Sequence, residues 1–204
     1  MNTKKIGTLS MIILTLLIIS FASKALAIAT VGSVNVVPSA TTVGLGQTVT
    51  VNVTVTNATA PGIYSYQLTL TYNNTLLNAT SAAIPSDHML KPASPANIFI
   101  LDPGTINQTS GTVTFALTLL GTEVGKTGNG TLVTVTFTGL VQGNSTIDLP
   151  QTDLILVDAD TNTITGYGIN PFTLQVVPEF TIAVMIAAMV ISSAAAVVLK
   201  KKHK

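Results

Sequence analysis

The sequence places three oxygen-bearing side chains at alternate positions, Asp158, Asp160 and Asn162. Oxygen ligands with this spacing can converge on Ca²⁺. A twelve-residue calcium loop that starts at Asp158 would need Gly at its sixth position and Glu at its twelfth, but those positions hold Thr163 and Ile169. The pattern favours a polar hairpin turn, and a calcium site of another type is the alternative.

Residues 28–177, which lie between the two apolar ends of the chain, offer little acid–base or nucleophilic chemistry. His88 is their one histidine, and it stands beside Asp87 in a stretch rich in turn residues, which predicts a solvated pair. We find no nucleophile and base at a spacing that predicts catalysis, and no metal-ligand cluster. The sequence therefore predicts a protein that is not an enzyme and needs no cofactor, apart from the calcium alternative.

Aromatic rings suited to stacking on sugars are few, because the chain has four tyrosines and no tryptophan. Strand alternation puts Tyr66 and Tyr72 on the core side, which leaves Tyr64 and Tyr167 as candidate sugar-stacking platforms. Packing in the core or at its rim is the alternative for all four.

Charge and cysteine content narrow the possible partners. Residues 28–177 contain two lysines and seven carboxylates, a net charge of −5, and the chain has no arginine. Nucleic acid is therefore excluded as a partner, since its phosphates require a basic surface. The chain has no cysteine, so the core must stabilise the domain without disulfides.

Asparagine, serine and threonine supply much of the polarity, and they form seven Asn-x-Ser/Thr sequons. These predict glycosylation at several sites, although a threonine-rich β-protein also produces sequons by chance. The candidate residues are Asn52, Asn57, Asn73, Asn78, Asn107, Asn129 and Asn144.

The elements that must position these residues are strands. Residues 48–56 alternate valine with polar residues, and the same period of two recurs in 66–72, 113–119 and 133–137. Shorter candidates at 33–37, 98–101, 145–149, 154–157, 164–166 and 172–177 bring the total to about nine or ten strands. Turn residues separate them, as in Asn57 to Gly62 and Asp102-Pro103-Gly104. The pattern predicts an all-β fold, an antiparallel β-sandwich over residues 28–177, with a barrel as the alternative.

The two ends differ from this region. Residues 1–27 combine Lys4 and Lys5, an apolar stretch and small residues at Ala25 and Ala27, as in a signal peptide cleaved after Ala27. An uncleaved N-terminal anchor is the alternative.

Residues 181–199 carry no charge and would extend about 28 Å as a helix, close to the thickness of a hydrocarbon core. The lysines after Leu199 favour a cytoplasmic tail, so residues 28–177 should lie outside the cell. The sequence thus predicts a transmembrane helix over 181–199 and a domain held at the cell surface.

The last part of the chain, 178–204, resembles the PEF-CTERM sorting signal of archaeal surface proteins, with Pro178, Glu179 and Phe180 followed by the apolar run and a basic tail. The resemblance implies cleavage near this tripeptide by a membrane transpeptidase of the archaeosortase type. A plain single-pass anchor is the alternative.

Four segments, in order, resemble cohesin domains. They are Gly46 to Val51, Leu68 to Asn73 with Leu76-Leu77 after it, Gly130 to Phe137, and Asp158 to Ile164, where the glycine of the family's late hairpin is missing. The resemblance spans about residues 33–177. It implies a nine-stranded jelly-roll sandwich of the kind shared with some carbohydrate-binding modules.

In cellulosome scaffolds, cohesins hold dockerin-bearing enzymes that degrade polysaccharide. Dockerin-binding members often carry Asn and Asp where this sequence has Ser65 and Gln67. The resemblance implies a partner-binding face formed by Ser65, Gln67, Thr69 and Thr71, where backbone and hydroxyl contacts would dominate. A carbohydrate-binding module that recognises a surface glycan and a structural envelope glycoprotein without a specific ligand are the alternatives.

Overall fold

The computed structural model describes residues 27–178, which form a β-sandwich. The predicted signal peptide and the predicted sorting segment with its transmembrane helix lie outside the described residues, except for Ala27 and Pro178. Within 27–178 no helix has the length and apolar character needed to cross a membrane. The strands are β1 Ser33–Pro38, β2 Thr42–Gly44, β3 Thr48–Thr71, β4 Leu77–Ala83, β5 Ile98–Asn107, β6 Thr112–Leu119, β7 Lys126–Gly139, β8 Gly143–Ile147, β9 Leu154–Asp158, β10 Thr163–Ile164, β11 Gly168–Asn170 and β12 Phe172–Val177.

The long strand β3 belongs to both layers of the sandwich. Its first half pairs with β1 and β7, and β7 also pairs with β4. Its second half pairs with β6 on one side and β9 on the other, and β5 extends that layer beyond β6. A smaller sheet has the order β2-β12-β8.

The two halves of β3 meet at a corner made of glycine. Gly62 has a φ of +90°, and a Cβ built on it would lie 2.5 Å from the carbonyl carbon of Gly125. Only glycine permits this backbone conformation together with such a close approach. The segment from Asn57 to Gly62, predicted as a turn, is instead the corner within a continuous strand.

The core follows the predicted alternation. Val49, Val51, Val53 and Val55 in the first half of β3 are buried, as are Tyr66, Leu68 and Leu70 in the second half. The rings of Tyr72 and Phe137 meet edge to face at 5.1 Å, and those of Tyr66 and Phe115 stack at 6.1 Å. Burial of these apolar groups supplies the main stabilisation in a chain without disulfides.

The strand count is twelve in the described part, where about nine or ten were predicted. The predicted strands are present, and two of them, 48–56 and 66–72, fall within the single long strand β3, except for Tyr72. The strands β2, β4 and β11 were not predicted from the sequence. β2 and β11 have three residues each, and β4 is rich in alanine and small polar residues, which have weak strand propensity. Pairing with β7 holds β4 in place.

Candidate functional site

The predicted partner-binding face is the outer side of the second half of β3. Ser65, Gln67, Thr69 and Thr71 alternate with the buried residues Tyr66, Leu68 and Leu70. From Ser65 to Leu68, β3 is paired on both sides, by β6 and β9, so its backbone donors and acceptors are used within the sheet there. A partner would therefore contact side chains rather than an open strand edge.

Apolar side chains surround this polar row. Ile155 lies directly opposite Gln67, and Phe99 lies opposite Thr118, which itself faces Ser65. Phe99, Leu101 and Ile155 are 55%, 60% and 45% exposed. We call the surface formed by Ser65, Gln67, Phe99, Leu101 and Ile155 the mixed face.

A shallow depression of about 110 Å³ lies within the mixed face. Ser65, Gln67, Leu101 and Ile155 contribute to its wall, together with Ala116. It is large enough for one small apolar side chain of a partner.

Two hydroxyls of the predicted partner-binding face already have neighbours within the sheet. Ser65 Oγ donates to the carbonyl oxygen of Leu117 at 3.1 Å, and Thr69 Oγ1 lies 3.5 Å from Thr114 Oγ1. Besides the Ser65 hydroxyl, which can still accept a hydrogen bond, the mixed face offers the Gln67 amide and the three exposed apolar side chains as contact groups.

The candidate sugar-stacking tyrosines are not a pair of exposed rings. Tyr167 is buried, and its hydroxyl donates to the Leu154 carbonyl oxygen at 3.0 Å, so its prediction as a surface platform is wrong. Tyr64 is partly buried against the core, with its hydroxyl 3.4 Å from the Gly121 carbonyl oxygen. Packing, the alternative for both tyrosines, is what the structure shows.

His88 is not part of a solvated pair, which corrects the sequence prediction. It is 6% exposed, and its Nε2 lies 3.0 Å from the hydroxyl of Tyr66. Burial lowers the pKa of His88 to about 4, although the backbone of Leu90 and Leu132 and the charge of Asp87 favour the protonated form. The ring also lines a cavity of about 290 Å³ whose other walls are mainly proline and isoleucine.

Asp158, Asp160 and Asn162 form the predicted polar hairpin turn. The Asp158 carboxylate accepts hydrogen bonds from the backbone N–H groups of Ala29, Asp160 and Asn162 and from the side-chain amide of Asn162. Burial alone would raise the pKa of Asp158, but these hydrogen bonds outweigh it and lower the pKa.

The hydrogen bonds of this turn also bear on the calcium alternative. Asn162 turns its amide nitrogen, not its oxygen, toward Asp158. Within residues 27–178 no three His, Asp or Glu side chains are arranged to hold a metal ion. In this conformation Asn162 therefore directs its amide nitrogen, and not an oxygen, toward the Asp158 carboxylate.

The seven sequon asparagines differ in accessibility. Asn52 and Asn78 are partly buried within strands, whereas the other five are exposed. The Oδ1 of Asn52 accepts a hydrogen bond from Thr134 Oγ1 at 2.7 Å. None of the seven belongs to the mixed face.

Comparison with known proteins agrees with this architecture. The family model for the cohesin domain matches residues 34–170. A search of curated proteins finds no significant match.

Solved structures with this fold include a type II cohesin domain from the cellulosome of Acetivibrio cellulolyticus, at 19% identity and a TM-score of 0.56, covering 71% of this chain and 95% of that one. A non-cellulosomal cohesin from the archaeon Archaeoglobus fulgidus is 17% identical with a TM-score of 0.51, and the match covers 74% of this chain and 92% of that one. The sixth cohesin of the Acetivibrio cellulolyticus scaffoldin B, solved in complex with a Cel5 dockerin mutant, is 14% identical with a TM-score of 0.55, and the match covers 71% of this chain and 99% of that one. With the family model spanning most of the described domain, the chain belongs to the cohesin family.

Proposed function

We propose that this protein is a non-catalytic cohesin module that holds a dockerin-type protein at the cell surface through the mixed face. Membership of the cohesin family supports a protein-binding role. A similar fold has been solved with a dockerin bound. In this proposal the attached partner is an enzyme or accessory protein of polysaccharide breakdown.

The single observation that carries the proposal is the exposure of Phe99, Leu101 and Ile155 on one regular sheet surface. Clusters of exposed apolar side chains on a soluble domain mark interaction sites, and large side chains at the centre of an interface supply most of its binding energy. Gln67 lies among them, and its side-chain amide offers a hydrogen-bond donor and an acceptor that would orient the partner.

The placement of the sequons fits this use of the surface. None of the seven asparagines is a residue of the mixed face, so no glycan would be attached to its contact side chains.

Attachment to the cell surface rests on the two ends of the chain. In the proposal, residues 1–27 direct export and are removed, and residues 181–199 hold the domain at the membrane. An archaeosortase-type enzyme that cuts near Pro178, Glu179 and Phe180 would exchange this span for a lipid.

The test is a pull-down from native cell extract with the full chain immobilised in detergent, in calcium and again in chelator, followed by mass spectrometry. We expect capture of a protein with paired calcium-binding loops, lost in chelator. Leu101→Asp should abolish the capture, because it places a charge in the centre of the mixed face. Val124→Asp makes a similar change at another exposed apolar residue and should leave capture intact.

Two results would contradict the proposal. Equal capture by the Leu101→Asp and Val124→Asp proteins would show that the mixed face is not the binding surface. Absence of any calcium-dependent partner would exclude dockerin-type attachment and leave glycan binding or the structural envelope role.

A further inference from the structure

One end of the sandwich is formed by three loops, residues 44–47, 73–76 and 139–143, which we call the apolar tip. Backbone hydrogen bonds join the loops: Gly46 N donates to the Gly139 carbonyl oxygen at 2.8 Å, and Leu140 N donates to the Leu76 carbonyl oxygen at 2.8 Å. The apolar tip is therefore one connected surface rather than three independent loops.

This surface exposes aliphatic side chains from two of its loops beside the polar side chains of Gln47, Asn73, Thr75 and Gln142, and it carries no charge. Leu45, Leu140 and Val141 are 37%, 48% and 54% exposed. None of the three loops contains Asp, Glu, Lys, Arg or His. Charged side chains do lie at the opposite end of the sandwich, where Glu123 and Lys126 form an ion pair. The apolar tip differs from that end in having no charged residue.

The chain leaves the domain at the apolar tip. β12 ends at Val177, which pairs with Gly44, and the carbonyl oxygen of Val177 accepts a hydrogen bond from Leu45 N at 3.2 Å. The uncharged run 181–199 starts four residues later. Even a fully extended chain covers only about 14 Å in four steps, so the start of that run stays close to Leu45.

We propose that the apolar tip rests on the outer surface of the membrane, with Leu45, Leu140 and Val141 inserted among the lipid headgroups. The inference depends on the proposed membrane attachment through residues 181–199. Apolar side chains gain from burial at the boundary between headgroups and acyl chains, some 5–10 Å deep, whereas charged groups there would be costly. The apolar tip has exposed leucine and valine side chains and no charged residue, and it lies where the chain leaves the domain. It can therefore gain from apolar burial without burying a charge.

This orientation sets the height of the mixed face. The strand β3 runs from Ser65 toward the apolar tip, and Ser65 lies six residues before Thr71, or about 20 Å along the strand. The mixed face would stand on the side of the domain, its Ser65 end well above the lipid surface and open to a partner. Ala29, whose backbone N–H donates to Asp158, lies toward the end of the sandwich that faces away from the apolar tip. In the proposed orientation the start of the domain is therefore held away from the membrane, as expected once residues 1–27 have been removed.

The chain has no tryptophan, so one introduced tryptophan reports its own surroundings. Four variants of the full chain, reconstituted in phosphatidylcholine vesicles with or without brominated acyl chains, form the test. Leu45→Trp and Val141→Trp probe the apolar tip, Val124→Trp is an exposed control at the other end, and Ala187→Trp lies within the run 181–199.

We expect bromine to remove most of the emission at positions 45, 141 and 187, with blue-shifted spectra, and to leave position 124 unchanged. Quenching at 187 with none at 45 and 141 overturns the inference while leaving membrane attachment intact. No quenching at 187 overturns the attachment and the inference with it, while the pull-down still tests the mixed face.

Discussion

The hydroxyl of Tyr66 lies 3.0 Å from Nε2 of His88 and donates its single proton to the carbonyl oxygen of Leu132. His88 must then donate from Nε2, and in the neutral ring that burial favours at pH 7, Nδ1 carries no proton. Within the described residues no group satisfies Nδ1 as a hydrogen-bond partner, and the atom is buried. The folded protein therefore holds a neutral histidine in its core, which links stability to pH.

We expect stability to fall as the pH is lowered through the histidine range. The pKa of His88 is lowered to about 4 in the folded protein, whereas an unfolded histidine titrates near 6.5. The unfolded state binds more protons between these values, so the contribution is intact above pH 6.5 and is lost as the pH falls toward 4. Between pH 7 and pH 5 the free energy of unfolding should drop by about 2 kcal/mol.

Urea unfolding at pH 7 and pH 5 measures this difference. His88→Gln is the matched variant, since its side-chain N–H can still donate toward Tyr66 while the group no longer titrates. The variant should lose most of the pH dependence. An unchanged difference between pH 7 and pH 5 in His88→Gln would assign the effect to another group.

Tyr167 should matter for stability and not for glycan binding. Its hydroxyl donates to the Leu154 carbonyl oxygen, so Tyr167→Phe should cost about 1 kcal/mol, and Tyr167→Ala should cost at least about 3 kcal/mol through the cavity it leaves. Chemical denaturation measures both, with Tyr64→Phe as a control whose hydroxyl makes a longer contact. Loss of glycan binding in a Tyr167→Phe protein of unchanged stability would contradict the packing role.

Asp158 should stabilise the fold without a metal ion. Asp158→Ala removes the acceptor for three backbone N–H groups, and we expect a loss of about 2–3 kcal/mol. Calorimetry should give the same melting temperature for the wild type in calcium and in chelator. Asp160→Ala is the control, because Asp160 contributes only its backbone N–H to this network. A rise in melting temperature with calcium that Asp158→Ala removes would restore the calcium site.

Local alternation was sufficient to predict the central strands, because residues such as Val49 to Val55 bury every second side chain against one core. It could not place β4, whose alanines and small polar residues are held by pairing with β7 rather than by propensity. Likewise, Asp102, Pro103 and Gly104 were predicted as a turn but lie inside β5, at irregular pairing with β6.

For the candidate site, too, strand alternation predicted some residues and missed others. Parity alone put Ser65 and Gln67 on the outer side of β3. Phe99 and Leu101 were missed because residues 98–101 form an unbroken apolar run, in which no alternation marks the exposed members. The burial of His88 depends on Tyr66, 22 residues away, and no local pattern could reveal that contact.

Glycosylation should follow the accessibility of the sequons, with Asn144 occupied and Asn52 unoccupied. Asn144 is exposed on β8, whereas Asn52 lies in the middle of β3, paired with Val37 on one side and Thr134 on the other, and its side-chain oxygen accepts a hydrogen bond from Thr134. A glycan on Asn52 would have to replace that contact on a partly buried strand surface.

Glycopeptide mass spectrometry of protein from native membranes measures the occupancy of each sequon directly. Asn144→Gln should remove the mass of one glycan, whereas Asn52→Gln should leave the mass of the attached glycans unchanged. Equal occupancy at the two positions would mean that the glycans are attached before the sandwich folds.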